Sequence, residues 1–197
     1  MSRLTLYASR FSRSFMAFWM LEELGVPYET DFRDIRERAN RRDDFLSINP
    51  MGKVPALVDN GVVITESPAI CLHLADRYGY GRLAPRIEDP ARGAYLRWMV
   101  FSTAVFEPAA WLPDDEAPSS VGWGGKADMM RALESALTPG PFILGDPFSA
   151  ADVMLGGVVA IALFNHRIPE TDWLAAYNAR IQDRPACRRA LALNGWA

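Results

Sequence analysis

Apolar residues in the first third of the chain fall into short blocks whose spacing predicts strands alternating with a helix. Residues 4–7 form a short apolar run typical of a β-strand. Residues 14–24 are apolar nearly all round and are followed by Gly25 and Pro27, which predicts a buried helix closed by a C-terminal glycine. Residues 28–32 alternate between apolar and polar, which predicts a second strand and hence a βαβ unit.

A second group of apolar blocks predicts a β-hairpin followed by a helix. The runs at 55–59 and 62–65 flank an Asn-Gly pair at 60–61, which is the strongest short-range signal of a hairpin. Over 67–78 the apolar residues recur at every fourth position, as on one face of a helix. This region therefore predicts the order β-α-β-(α)-β-β-α, with helices covering the apolar faces of a mixed sheet.

Beyond this region the strand pattern stops and only helical spacing remains. Residues 80–90 contain several glycines and prolines, as expected of a linker. Residues 112–125 are rich in proline, glycine, serine and acidic residues and are expected to form a loop. Helices are predicted at 91–111, 126–137, 150–164, 170–182 and 185–193. The predicted fold is an α/β domain over residues 1–79 joined to an all-α helical bundle over residues 91–197.

Composition and charge narrow the class of protein. Apolar residues make up 50% and charged residues 23% of the chain, as in ordinary globular proteins. A net charge of −3 creates no basic field that would recruit nucleic acid. The longest apolar run, 153–164, is shorter than the roughly 20 residues of a membrane-spanning helix. Cys71 and Cys187 form neither a disulfide framework nor a CxxC pair, so we expect a reducing, cytoplasmic location and no metal, nucleic acid or membrane partner.

Three segments of the chain resemble those of the cytosolic glutathione S-transferases. Residues 49–57, Asn-Pro-Met-Gly-Lys-Val-Pro-Ala-Leu, are similar to the family's segment in which a cis-proline begins the third strand. Residues 65–70 contain a Glu-Ser pair and resemble the start of the family's third helix. Residues 148–152 resemble the capping box of its helical domain. The resemblance implies a thioredoxin-like N-terminal domain, an all-helical C-terminal domain, and a bacterial, serine-type enzyme that uses glutathione as co-substrate.

The resemblance also implies which residues bind glutathione. A cis bond between Val54 and Pro55 would expose the backbone of Val54 to the extended ligand, although a trans proline opening an edge strand is the common alternative. Glu66 would take the ammonium group of glutathione, and Ser67 its γ-glutamyl carboxylate at a helix N-terminus, where Ser67 also suits a plain N-cap. Lys53 would reach the glycyl carboxylate or else remain a solvated side chain.

The loop after the first strand is expected to activate the glutathione thiol. An unperturbed thiol has a pKa of about 8.5 and is mostly protonated near neutral pH, whereas the thiolate is the nucleophile. By resemblance, Ser12 is the first candidate for the hydroxyl that donates to the sulfur, with Arg13 and a helix N-terminus facing the same anion. Tyr7, Ser9, Ser14 or no hydroxyl at all are the alternatives, and Ser12 also suits a plain N-cap.

The reaction implied by the resemblance is attack of the bound thiolate on a small-molecule electrophile, or reduction of a peroxide, in a detoxifying homodimer. Four aromatic residues of the helical domain are candidates for an acceptor pocket, although such residues at helical spacing usually form the core: Phe106, Trp111, Trp123 and Phe164. Two alternatives stay open. One is a glutathione-dependent isomerase or dehalogenase of the same fold, and the other is a non-catalytic binding protein on the same scaffold.

Overall fold

Two compact units make up the chain in the computed structural model, which describes residues 4–112 and 122–196. The first unit contains the chain up to Gly79 together with the chain from Pro185 onward, and the second runs from Tyr80 to Arg184. No helix among the described residues has both the length and the apolar character needed to cross a membrane.

A four-stranded mixed sheet forms the centre of the first unit. Its strands are β1 Leu4–Ala8, β2 Glu29–Phe32, β3 Ala56–Asp59 and β4 Val62–Thr65. They lie in the order β2-β1-β3-β4, with β1 parallel to β2 and antiparallel to β3, and with β3 antiparallel to β4. Asn60 and Gly61 both have positive φ, 50° and 86°, as a tight hairpin turn requires. The predicted mixed sheet and hairpin are confirmed.

Three helices alternate with these strands along the chain. They are α1 Ser14–Leu24 after β1, α2 Asp43–Leu46 after β2 and α3 Ser67–Tyr78 after β4. The first eight residues of α1 are all buried, which explains why its sequence is apolar nearly all round. Gly25 ends α1 in the left-handed conformation, with φ at 66°, and its N–H donates to the carbonyl of Leu21 at 3.0 Å. The helix end predicted from the glycine is confirmed.

The second unit consists of helices in its described residues, as the sequence predicted. They are α4 Arg92–Phe101, α5 Glu107–Trp111, α6 Lys126–Leu137, α7 Ala150–Phe164 and α8 Asp172–Gln182. The predicted helix over 91–111 is divided by a wide π-type turn at Ser102–Phe106, which ends two residues before Pro108. Proline has no N–H for an intrahelical bond and crowds the preceding turn, which accounts for the change there. Within the loop predicted over 112–125, residues 113–121 lie outside the described part of the chain.

The capping box predicted at Ser149 and Asp152 begins the buried helix α7. The Ser149 hydroxyl accepts a hydrogen bond from the N–H of Ala151 at 3.2 Å, and the Asp152 carboxylate accepts one from the N–H of Ser149 at 3.0 Å. The other oxygen of Asp152 accepts from the N–H of Ile143 and the hydroxyl of Tyr177. This fully buried carboxylate therefore links the start of α7 to two other segments of the unit.

The last helix, α9 Pro185–Asn194, belongs to the first unit rather than to the helical unit that precedes it in sequence. It packs against α1, and Arg189 forms an ion pair with Glu22 of α1 at 2.6 Å. Its buried residues are Ala186, Cys187, Ala190 and Asn194. The observed units thus differ by one element from the predicted domains 1–79 and 91–197, because an apolar stripe shows that a helix is covered but not what covers it.

Candidate functional site

The register of the sheet brings several loop segments to one edge. Ala8, the last residue of β1, pairs with Phe32, the last residue of β2. On the other side of β1, Tyr7 pairs with Ala56, where β3 begins, and Ala56 in turn pairs with Thr65, where β4 ends. The ends of β1, β2 and β4 and the beginning of β3 therefore meet at the same edge of the sheet.

The residues one step beyond these strand ends lie side by side along the edge. They are Arg33 after β2, Ser9 after β1, Val54 and Pro55 before β3, and the pair at 66–67 after β4. With strands about 4.8 Å apart, three spacings make the edge about 14 Å wide. An extended tripeptide fits within this width, since three extended residues span about 10–11 Å.

The bond between Val54 and Pro55 is cis, as predicted from the resemblance. Val54 lies outside both strand ladders and is half-buried, while Pro55 is buried. Within the described structure, neither the N–H nor the C=O of Val54 forms a backbone hydrogen bond in the loops. Just before it, the carbonyl of Lys53 accepts a hydrogen bond from the buried Asn49 amide at 2.7 Å, while Lys53 itself is exposed. The backbone of Val54 is thus available to a ligand strand.

Glu66 and Ser67 lie at the N-terminus of α3, which begins one residue earlier than an N-cap at Ser67 would place it. Ser67 is the first helical residue, and Glu66 stands in the N-cap position, so the prediction of Ser67 as N-cap is wrong. Glu66 has φ at 66° and ψ at 122°, a strained conformation for a residue with a side chain. Pro68 follows and has no N–H, so the N–H donors of the first turn belong to Ser67 and Ala69. The exposed carboxylate and the buried hydroxyl therefore stand at a helix end that favours anions.

The three serines of the loop after β1 are joined in one hydrogen-bond network. The Ser12 hydroxyl contacts the carbonyl of Ser9 at 2.6 Å and the hydroxyl of Ser14 at 2.9 Å, and it accepts from the N–H of Ser14 at 3.1 Å. The Ser14 hydroxyl accepts from the N–H of Ser9 at 3.2 Å. Only the Ser9 hydroxyl has no hydrogen-bond partner among the described residues. The network therefore ties the loop together through the hydroxyls of Ser12 and Ser14 and does not use the hydroxyl of Ser9.

Tyr7 lies in β1 before this loop, and Arg13 lies at the end of the loop, directly before α1. Tyr7 alternates with the buried Leu6 and Ala8, so its side chain lies on the opposite face of the sheet from theirs, where the guanidinium of Arg33 lies over its ring at 5.5 Å. There its ring packs against Phe45 of α2, with ring centroids 5.8 Å apart. Arg13 is exposed and takes the N-cap position of α1, where its side chain forms no cap hydrogen bond.

A cavity of about 330 Å³ opens beside Ser9, between the loop after β1 and the loop after β2. Residues 9–11 line one side of it and residues 32–36 the other. Ser9 itself is only 4% exposed, so its hydroxyl lies in the wall of the cavity rather than on the open surface. Among the sequence-predicted site residues, Ser9 is the one that lines this cavity.

Two residues that the sequence did not single out reach the edge of the sheet from the segment before α2. The Asn40 amide donates to the carbonyl of Gly52 at 2.7 Å, and the Arg41 guanidinium donates to the carbonyl of Met51 at 3.2 Å. These contacts place the cation of Arg41 beside the segment that carries Lys53. The charged, irregular run over 33–46 gave no periodic signal that could have marked these two residues.

The aromatic residues proposed for an acceptor pocket do not share one environment. Phe106 is completely buried in the core of the second unit, whereas Phe164 is 84% exposed. Burial of Phe106 fits the expectation that aromatics at helical spacing are usually core.

Comparisons with known proteins agree with this geometry. The glutathione S-transferase N-terminal domain matches residues 2–76, and the glutathione S-transferase C-terminal domain matches residues 127–190. Glutathione S-transferase F10 of Arabidopsis thaliana is 30% identical, over 96% of this chain and 96% of the relative. The chain belongs to the glutathione S-transferase family.

Solved structures of glutathione transferases extend the likeness over nearly the whole chain. The enzyme of Methylococcus capsulatus is 28% identical, with a TM-score of 0.80, over 98% of this chain and 100% of that one. The theta-class enzyme of Xanthomonas axonopodis pv. citri, solved with glutathione bound, is 29% identical, with a TM-score of 0.74, over 96% and 97% of the two chains. The thioredoxin-like fold predicted from the resemblance is therefore confirmed for this glutathione S-transferase family member.

Proposed function

We propose that this protein is a glutathione transferase that binds glutathione along the edge of its sheet and presents the thiol as a thiolate. The observation that carries the proposal is the meeting of Ser9, the cis Val54–Pro55 bond and the Glu66-Ser67 pair at that one edge. Family membership supports it, as does the glutathione bound in the Xanthomonas relative.

Glutathione fits the edge as an extended peptide. Its cysteinyl residue would pair with the N–H and C=O of Val54 as an added strand. The γ-glutamyl carboxylate would accept from Ser67 at the positive end of α3, and Glu66 would pair with the ammonium group. Lys53 and Arg41 would hold the glycyl carboxylate, because both cations lie beside Gly52 and the start of β3.

Ser9 is the hydroxyl best placed to stabilise the thiolate. Its side chain has no partner in the described structure and lines the cavity, whereas the hydroxyl of Ser12 already contacts Ser9 and Ser14. A hydrogen bond donated to sulfur lowers the pKa of the thiol, so more thiolate is present at neutral pH. Ser12, the first candidate from sequence, is the second candidate here, because a turn about its χ1 would release the proton now shared between two acceptors.

The proposed reaction is a displacement at an electrophilic carbon. The sulfur lone pair forms the C–S bond, the leaving group departs with the bonding electrons, and the proton of the thiol passes to solvent. Detoxification of small electrophiles in the cytoplasm is the role we expect. Peroxide reduction would begin from the same thiolate.

Single substitutions in the first unit test the proposal. Ser9→Ala should lower kcat by about a hundredfold and shift the pH–rate profile toward alkaline values, because the bound thiol would ionise later. Ultraviolet absorbance of the thiolate, titrated on the binary complex, measures that pKa directly. Tyr7→Phe is the matched control and should change neither quantity, because the ring of Tyr7 packs against Phe45 and Tyr7 does not line the cavity. A large effect of Tyr7→Phe with a silent Ser9→Ala would overturn the assignment.

Binding and turnover together separate the remaining alternatives. Calorimetry that detects glutathione binding, combined with no turnover of any electrophile or peroxide, would identify a non-catalytic binding protein. Glutathione recovered unchanged after turnover would indicate an isomerase, and release of halide with formation of a hydroxylated product would indicate a dehalogenase.

We also propose that the protein forms a homodimer, as the resemblance to the family implies. Light scattering at micromolar concentration is the measurement, and a mass of one chain, 22.0 kDa, would contradict it.

A further inference from the structure

The cavity beside Ser9 combines exposed aromatic surface with cationic side chains. Phe11 is 52% exposed, Phe32 is 47% exposed and Ile35 is 38% exposed. The guanidinium of Arg10 lies over the ring of Phe32 at 5.5 Å, and that of Arg36 lies over the ring of Phe11 at 5.4 Å. Each guanidinium therefore lies within cation–π distance of an aromatic ring of the cavity lining.

The charge of the lining is positive overall. Neither Arg10 nor Arg36 forms an ion pair among the described residues. Arg33, the third arginine of the lining, is neutralised by two aspartates outside the cavity. The carboxylate of Asp34 also lines the cavity, where it accepts a hydrogen bond from the backbone N–H of Arg36 at 2.8 Å. Among the described residues, the lining thus contains two arginines without an ion-pair partner, Arg10 and Arg36, and one carboxylate, that of Asp34.

Phe11 is held in place by an unusual backbone. Its φ is 54°, in the left-handed region that a bulky side chain rarely adopts. The N–H of Phe11 donates to the carbonyl of Asn194 at 2.8 Å, and its ring lies so close to Gly195 that a Cβ there would approach it to 3.0 Å. Such conformations persist only where surrounding structure enforces them, and they concentrate at functional sites.

The position of the cavity separates it from the proposed glutathione site. Ser9 follows β1, a central strand, and the residues proposed to hold glutathione lie toward β3 and β4. The cavity lies on the opposite side, toward β2. A glutathione sulfur that accepts a hydrogen bond from Ser9 would therefore lie at the boundary between the glutathione site and the cavity.

We infer that this cavity is the acceptor site and that it selects electrophiles that have an aromatic ring and an anionic group. The inference rests on the proposed function. The volume of about 330 Å³ suits a single substituted ring. The ring would stack against Phe11 and Phe32, and the anionic group would lie between Arg10 and Arg36. For an aryl chloride, the sulfur of glutathione forms the C–S bond, chloride leaves with the C–Cl electron pair, and the thiol proton passes to solvent.

Two aryl chlorides that differ only in charge test the inference. 4-Chloro-3-nitrobenzoate carries a carboxylate, and 4-chloro-3-nitrobenzamide is its neutral counterpart. After division by the uncatalysed rates, kcat/KM should be higher for the carboxylate. Arg10→Gln and Arg36→Gln should each reduce that preference by about fivefold and leave the KM for glutathione unchanged. Arg131→Gln, at an exposed site on α6, removes the same charge outside the cavity and should leave the preference intact.

Binding of unreactive analogues keeps the inference separate from the proposed function. 3-Nitrobenzoate should bind more tightly than 3-nitrobenzamide in calorimetry, and the difference should disappear in the double variant Arg10→Gln/Arg36→Gln. This result would stand even if the protein turned over no electrophile, in which case only the proposed function would fail. Equal binding of the two analogues would overturn the inference. So would a loss of glutathione affinity in the double variant, because the arginines would then belong to the glutathione site.

Discussion

The backbone N–H of Phe11 donates a hydrogen bond to the carbonyl oxygen of Asn194 at 2.8 Å. The bond joins the loop near the start of the chain to the last helix. The side-chain amide of Asn194 donates to the carbonyl of Ser12 at 3.2 Å, and Asn194 is completely buried. The last residue of α9 therefore binds two adjacent residues in the middle of the segment between Ser9 and the start of α1. Through this pair the C-terminal helix positions the loop that carries the proposed thiol-binding hydroxyl.

Asn194→Ala should loosen that loop, because it removes the donor to Ser12. We expect the pKa of the bound glutathione thiol to rise and kcat to fall more than the KM for glutathione increases, with about 1–2 kcal/mol lost from the free energy of unfolding. Arg189→Ala is the matched control, since it breaks the exposed Arg189–Glu22 pair between α9 and α1 without touching the loop. If both variants changed the thiol pKa equally, Asn194 would act only by docking α9.

Glu66 is expected to have two effects: its backbone conformation costs stability, and its carboxylate binds glutathione. Glu66→Gly and Glu66→Ala both remove the carboxylate, so both should weaken glutathione binding by about 1.5–3 kcal/mol in calorimetry. Only glycine adopts a φ of 66° freely, so the glycine variant should be more stable than the alanine variant by about 1 kcal/mol in urea unfolding. Equal stability of the two variants would show that the backbone at Glu66 is not strained.

Gly52 is expected to keep room for the segment that carries Arg41. A Cβ at Gly52 would lie 2.8 Å from the Arg41 guanidinium and 2.9 Å from the backbone oxygen of Asn40, so Gly52→Ala should displace that segment. We expect lower glutathione affinity as well as lower stability. Gly61→Ala is the matched control: Gly61 also has positive φ, but a Cβ there meets nothing within 4 Å. It should cost about 1–2 kcal/mol of stability and leave affinity unchanged. Equal affinities in both variants would exclude this role.

Asp152 should make stability depend on pH. Burial raises its pKa to about 6, although N–H groups of Ile143 and Ser149 and the hydroxyl of Tyr177 donate to the carboxylate. The unfolded group titrates near pH 3.9, so the folded state keeps the proton to a higher pH. Its stabilising effect is complete below about pH 4 and is lost as the pH rises through 6. The stability advantage of the wild type over Asp152→Asn should therefore shrink by about 2 kcal/mol between pH 4 and pH 7 in urea unfolding.

Asp59→Asn is the control for that titration. Burial acts to raise the pKa of Asp59, but hydrogen bonds from His73 and Tyr78 and the charge of Arg77 outweigh it, and the pKa is lowered. The stability that Asp59 contributes is therefore present above its unfolded pKa and is lost only as the pH falls below about 4. Both proteins are compared in a His73→Gln background, because the imidazole of His73 contacts Asp59 at 2.7 Å and would add its own pH dependence. Between pH 5 and pH 7 the effect of Asp59→Asn on stability should then stay flat. A flat difference for Asp152→Asn as well would refute its raised pKa.

Local signals in the sequence were sufficient for most of the fold. Asn60-Gly61 specified the hairpin because its residues accept positive φ, and Gly25 ended α1 for the same reason. Ser149 and Asp152 formed the predicted capping box because both bonds join groups within one helical turn. Each of these features depends on residues a few positions apart, which the sequence displays directly.

The tertiary structure decided which helix faces are covered and which serine hydroxyls take part in hydrogen bonds. The apolar stripe of α9 could not show that α1 covers it, and no local pattern linked Asn194 to Phe11. The serines at 9, 12 and 14 are chemically equivalent in sequence, and only the hydrogen bonds of the folded loop leave Ser9 free to face the cavity. Local conformation follows from neighbouring residues, whereas contacts between distant segments depend on how the whole chain packs.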